Sequence, residues 1–186
     1  MVITSTAGSA FEKIYLDIVG PINKDNDNFT YILTLQCDLT KYTEAYPLRS
    51  KDAVTVSKAF VENFVLRYGI PREIATDRGS EFIASTMTEV CKLLQINHIT
   101  STAYHHESIG ALENSHKTMG AYLRIHTENH TSSWSTWLPY WCFAYNAVYT
   151  QKLSTHRTSW YLVSCVTYLQ ILQPLLIHCT ITIATH

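Results

Sequence analysis

Three carboxylates stand out by type and position. Asp17 lies inside the apolar run Ile14-Tyr15-Leu16-Asp17-Ile18-Val19, a strand pattern in which an ionised side chain is costly unless it is paired or holds a cation. Asp77 closes the run Ile74-Ala75-Thr76 and is followed by Arg78-Gly79-Ser80. That places an acid at the carboxyl end of a strand, where α/β sheets usually carry their chemistry, although Asp-x-Gly is also ordinary turn chemistry. Glu113 stands at the start of a helical segment and by itself reads equally well as a solvated helix acid. Two aspartates and a glutamate form an all-oxygen donor set, which suits a hard divalent cation such as magnesium. In that role the acids are ligands rather than proton carriers.

The elements that must position these acids follow from periodicity and turn residues. Residues 11–19 read as a first strand closed by Gly20-Pro21, a polar turn over 23–28 leads to a second strand over 29–37, and Thr40-Lys41 turns the chain into a third over 43–48. A helix runs from Asp52, its N-cap, to Tyr68, with Val56, Phe60 and Phe64 on one face and Gly69 and Pro71 as stops. Glu73–Thr76 is a fourth strand, and Ser80 caps a second helix reaching Leu94. Residues 96–100 form a fifth strand, 104–109 a loop, and helices follow over about 111–127 and 134–148. An antiparallel meander followed by alternating helix and strand predicts an α/β fold, a mixed five-stranded sheet flanked by helices.

The words around the acids keep a fixed order. They are Leu16-Asp17-Ile18-Val19-Gly20-Pro21, Thr76-Asp77-Arg78-Gly79-Ser80-Glu81-Phe82, and Thr102-Ala103-Tyr104-His105 leading to Gly110-Ala111-Leu112-Glu113-Asn114, with 35 residues between Asp77 and Glu113. Over residues 11–149 the chain resembles the integrase catalytic core of retroviruses and gypsy-type LTR retrotransposons, the D,D(35)E polynucleotidyl transferases. The resemblance implies a ribonuclease-H-like fold and DNA integration by metal-dependent 3′-processing and strand transfer. Two Mg2+ (or Mn2+) ions would serve an in-line displacement, with Asp17 bridging them, Asp77 on one and Glu113 on the other. It also implies DNA partners (retroelement ends and target), a homo-oligomer, and work in the nucleus after a cytoplasmic pre-integration complex. Lys117 shares the helix face of Glu113 at i+4 and could contact phosphate or pair with Glu113. Arg78 could steer phosphate or cap its turn, and Ser108 keeps a position of the family's active-site loop.

The departures from the family pattern are local. His106 stands where proline is usual and Glu107 where glutamine is, which adds a negative charge near the acid cluster. Asn114 and Gly120 occupy places that often hold basic residues. A transposon-derived remnant that folds and associates without catalysing is therefore the competing reading. A ribonuclease H would bring a fourth carboxylate and a different spacing.

Composition sets the bounds. With 186 residues, 46% hydrophobic and 16% charged, the chain can bury one domain's core. A net charge of −1 shows no overall basicity, so contact with nucleic acid must rely on local patches. Cys37, Cys91, Cys142, Cys165 and Cys179 are odd in number and lack CxxC spacing, which argues for buried thiols and against a disulfide framework or zinc ribbon. His126 and His130 are four apart but no CxxC follows, so no zinc is expected. Trp134, Trp137, Trp141 and Tyr145 recur at helical spacing and read as core or subunit interface. Neither a signal peptide nor an 18-residue apolar run is found, and no membrane role is expected.

Residues 1–10 read as an N-terminal extension, and 150–186 as an aberrant tail. From Gln151 onward there is no Asp, Glu or Gly. Back-translating Thr155–Val163 with AGY for Ser159 and TTG for Leu162, then reading one base earlier, turns Trp160-Tyr161 into Leu-Val, with Phe or Leu and then Gly behind it. The same shift permits Pro-Tyr-Glu upstream. These letters resemble the family's continuation, so the tail reads as an out-of-frame translation of it.

Overall fold

A computed structural model describes residues 7–100, 106–127 and 133–153. β1 (Lys13–Val19), β2 (Tyr31–Cys37) and β3 (Thr43–Leu48) form the expected antiparallel meander. β4 (Glu73–Thr76) then pairs parallel to β1, and β5 (Asn97–Thr100) parallel to β4. The sheet order is β3-β2-β1-β4-β5. Two compact units divide the chain, 1–143 and 144–186, and the sheet belongs to the first.

Side chains alternate across a strand, and the two sheet faces do different things. Ile14, Leu16, Leu33, Leu35 and Ile74 point to one face and join Val56, Phe60, Phe64, Phe82, Met87 and Cys91 in the main core. Tyr15 and Ala75 point to the other face and pack with Leu112. Asp17 shares the parity of Tyr15, so it belongs to this second, thinner face.

The helices on the core side are α1 (Ala53–Phe60), a π-helical stretch Val61–Val65, a last turn α2 (Leu66–Tyr68), then α3 (Ser80–Ile83) and α4 (Ser85–Leu93). Asp52 caps α1 as expected, accepting the Thr55 amide at 2.9 Å. Gly69, at φ 92, ends α2 in a conformation a side chain would resist. α5 (His106–Thr127) and α6 (Trp134–Leu153) follow.

Several boundaries differ from the sequence reading, among them that β5 starts at Asn97 and α6 runs on to Leu153. Strand β1 starts at Lys13 because Phe11 takes a left-handed φ of 62 and turns its ring onto Tyr42, Phe64 and Tyr68. Strand β2 starts at Tyr31 because the Asp25 carboxylate accepts the Asp27 and Phe29 amides and holds the chain in its turn. The helix expected over 80–94 is broken at Ala84, whose ψ of 151 is extended. Its N-cap is Gly79, and the Ser80 hydroxyl donates to Glu81 instead of capping. Finally, residues 106–110 are helical rather than loop. No breaker stands at His106, and a glutamate in the first turn suits the helix dipole.

Cys37, Cys91 and Cys142 are free and buried, as expected. Trp134 and Trp141 are buried too, and the Trp134 indole donates to the Asn23 carbonyl at 2.8 Å. His126 lies in a ring stack between Tyr122 and Trp137. His130 and most of the expected tail, residues 154–186, lie outside the described residues. No described helix is long and apolar enough to cross a membrane.

Candidate active site

The site begins with register. Leu16 pairs with Thr76 across the parallel β1–β4 ladder, so the next residues, Asp17 and Asp77, come abreast on neighbouring strands. Both line a pocket of about 50 Å3, together with Tyr15, Ala75 and Leu112. Leu112 is buried on α5 and directly precedes the exposed Glu113. One helix turn thus lays the third acid's neighbour into the same pocket that the two aspartates border.

Each aspartate is held locally. The Asp17 Oδ1 accepts the Ile18 amide at 2.8 Å, and its main-chain carbonyl accepts the Thr34 hydroxyl at 3.1 Å from the cross-strand position. The Asp77 Oδ1 accepts the Gly79 amide at 2.9 Å, closing an Asx turn. The Asp77 side chain is otherwise exposed.

The electrostatics single out Asp17. Burial pushes its carboxyl up from 3.8 to about 6, against the pull of the Ile18 amide, and the charges of Asp77, Glu81 and Glu113 push the same way. An anion is thus held among three other anions, the arrangement a cation would relieve. The donors are all carboxylate oxygens, and these residues fit a hard divalent ion on that ground. Among the described residues no group of three or more His, Cys, Asp or Glu side chains is placed to hold a metal ion. Asp17 and Asp77 border one pocket, and an ion bound to them would take the rest of its shell from substrate phosphate oxygens and water.

The structure places the other sequence candidates as follows. Lys117 and Arg78 are both exposed, and no ion pair joins Lys117 to Glu113 among the described residues. The pairing alternative for Lys117 therefore falls away, which leaves its ammonium facing solvent. Ser108 lies within the α5 backbone, and its side chain is outside the described residues. Sequence reasoning missed Glu81 and His116. Glu81 is four residues past Asp77 and acts on Asp17 through charge. The His116 Nδ1 stands 3.7 Å from the Asp17 Oδ2, beyond hydrogen-bond reach. Burial lowers the pKa of His116 against the opposing pull of Glu113, which disfavours the charged ring that an ion pair with Asp17 needs. A signal for His116 was present, because i+3 from Glu113 is the same helix face.

A testable stability effect follows. A carboxyl whose folded pKa is raised binds more protons folded than unfolded between about 4 and 6. Its contribution to stability therefore falls as pH rises through that window and is least favourable above it. Asp17→Asn keeps the acceptor for the Ile18 amide and removes the charge. In chelator at pH 7.5 it should melt above the parent by roughly 2–4 °C, a modest figure because the side chain is 34% exposed and screened. Near pH 4 the two melting curves should coincide. A variant that melts below the parent at pH 7.5 would contradict the account.

Comparisons with known proteins bear on the family and the fold. The model of the integrase core domain family matches residues 9–106, a span that includes Asp17 and Asp77 and ends before Glu113. The retrovirus-related Pol polyprotein from transposon 412 of Drosophila melanogaster is 42% identical over 146 residues, which are 78% of this chain and 12% of that polyprotein. Gypsy retrotransposon integrase-like protein 1 of Mus musculus is 28% identical over 144 residues, 77% of this chain and 27% of its own length. The chain thus spans a minor part of the curated relatives it matches. The crystal structure of the catalytic core domain of BIV integrase superposes with a TM-score of 0.60 at 20% identity, covering 72% of this chain and 82% of that one. The mixed sheet with its flanking helices is therefore a ribonuclease-H-like fold.

Proposed function

Because the chain belongs to the integrase core domain family, we propose that it is the catalytic core of a retroelement integrase, acting on DNA by metal-dependent 3′-processing and strand transfer. The observation that carries this reading is the anion held among anions. Asp17, abreast of Asp77 over one pocket, is raised to about 6 by burial and by Asp77, Glu81 and Glu113. Asp17, Asp77 and Glu113 would hold two Mg2+ or Mn2+ ions. When bound, such ions supply Lewis acidity at the phosphate and an activated oxygen nucleophile.

The chain's own residues do the rest. The Ile18 and Gly79 amides fix one oxygen of each aspartate and leave the second for a ligand. Lys117 and Arg78 present exposed cations near the acids for phosphate oxygens, which orient DNA without reading its sequence. Ser108 is assigned to the same DNA-facing surface. The native form is a homo-oligomer that works on retroelement ends and target DNA in the nucleus.

The test is reversal of strand transfer on a branched DNA substrate. The chain should resolve the branch with Mg2+ or Mn2+ and stop when EDTA is added. Glu107→Gln should raise the rate, more so at low salt where the Glu107 charge is least screened. The specific observation behind the competing remnant reading is Glu107 itself, a glutamate where the family usually has glutamine. If neither the parent nor Glu107→Gln cuts while circular dichroism shows both folded, the enzyme reading fails and the non-catalytic remnant stands.

A further inference from the structure

Asp17, inside β1, and Asp77, just past β4, are backed by the same three-group device. On β2, the Thr34 hydroxyl donates to the Asp17 carbonyl at 3.1 Å and lies 2.9 Å from the His116 Nε2. On β4, the Thr76 hydroxyl donates to the Asp77 carbonyl at 2.9 Å and lies 2.9 Å from the His98 Nε2. The two devices use different elements. His116 comes from α5, and Thr34 sits directly across from Asp17. His98 comes from the edge strand β5, two residues before Thr100, the cross-strand partner of Thr76. By register, Thr34 shares the Asp17 face of the sheet, while Thr76 has the parity of Leu16 and belongs to the core face.

Proton counting decides the direction of each bond. A threonine hydroxyl carries one hydrogen, and in both devices it is committed to an aspartate carbonyl. With its hydrogen on the carbonyl, the oxygen accepts from the imidazole, and this arrangement calls for each histidine to carry its proton on Nε2. Thr34 and Thr76 are themselves buried, at 0% and 3% exposure, so neither hydroxyl has water as a substitute partner.

We propose that His116–Thr34 and His98–Thr76 are paired braces, positioning residues that fix the main chain at Asp17 and Asp77 from opposite faces of the sheet, so that both carboxylates are presented at a constant separation. The inference rests on the metal-binding reading above and names the residues that would set the site's precision. Neither histidine is a ligand in this account. Each acts through a hydroxyl on the backbone of a ligand, the kind of outer support whose loss weakens metal affinity by about 10–100-fold.

The test uses the whole chain labelled with 15N in its imidazoles. In chelator, two-bond 15N–1H spectra should show His98 and His116 both protonated at Nε2. Thr34→Val and Thr76→Val should each disturb the signal of one ring only. In Mn2+ titrations followed by electron paramagnetic resonance, His98→Ala and His116→Ala should bind about 10–100-fold more weakly. His98→Gln and His116→Gln, whose amide reaches as far as Nε2, should recover most of the loss. Recovery separates bracing from simple filling of space. The proposal is overturned by an Nδ1-protonated ring at either position, by alanine variants that bind Mn2+ like the parent, or by glutamine variants that recover nothing. If the parent itself binds no Mn2+, the metal reading fails, and the ring tautomers alone decide whether the braces exist.

Discussion

With Asp77 replaced by asparagine, metal-dependent branch resolution should fall by about 10³-fold or more while the fold persists. An ion that stabilises transition-state charge is worth several kcal/mol, and about 1.4 kcal/mol is tenfold in rate. Asparagine is chosen because the structural task of Asp77 is small and separable. Its Oδ1 accepts the Gly79 amide at 2.9 Å, which an amide oxygen does equally well, and the side chain is otherwise exposed. The turn should survive and only the charge disappear. Circular dichroism and the melting point report the first half, and the branched substrate the second. Activity within tenfold of the parent would remove Asp77 from the metal site.

Phe60→Ala should be the most damaging of the single core truncations, costing about 3–5 kcal/mol. The Phe60 ring is fully buried, stacks on Phe64 at 6.0 Å, and belongs to the core that packs α1 against the sheet. It is also the residue at which α1 gives way to the π-helical stretch, so the cavity would open where the helix is least regular. Native domains hold only about 5–15 kcal/mol in total, so this variant should lose a large part of its stability. The measurement is the urea midpoint, with Leu66→Ala, at a position 75% exposed, as the control expected to stay within about 0.5 kcal/mol. Equal shifts in the two variants would mean that the core lies elsewhere.

The strands were legible because their signals were local. The run from Tyr31 to Cys37 is rich in β-forming residues, and Glu73–Thr76 is bounded by Pro71 and by the Asp77 turn. Asp52 carried its own capping signal and kept it in the structure. The break at Ala84 could not be read, since alanine is the strongest helix former and nothing nearby is a stop. The helical start at His106 was hidden for the opposite reason, because the surrounding polar residues resemble a loop. For the site, the spacing of Asp17, Asp77 and Glu113 could be read. The bonds of Thr34 to Asp17 and of Thr76 to His98 could not, because they depend on cross-strand register that no local pattern states. Glu81 was visible as an acid, but its influence on Asp17 exists only once β1 and β4 lie side by side.

That side-by-side pairing bears on the order in which the protein acquires its charge problem. β1, β2 and β3 follow one another in the chain and pair through connections far shorter than the one that leads to β4, which places Asp17 opposite Thr34 before Asp77 and Glu81 arrive. β4 reaches β1 only after the chain has passed through α1 and the π-helical stretch, a loop closure that is slower than forming a hairpin. The repulsion among Asp17, Asp77 and Glu81 therefore arises only when β4 docks, in the same step that buries Ile74 in the main core. The clustering of like charges is postponed to the moment when apolar contacts are made to oppose it, and a chain still folding carries its acids apart.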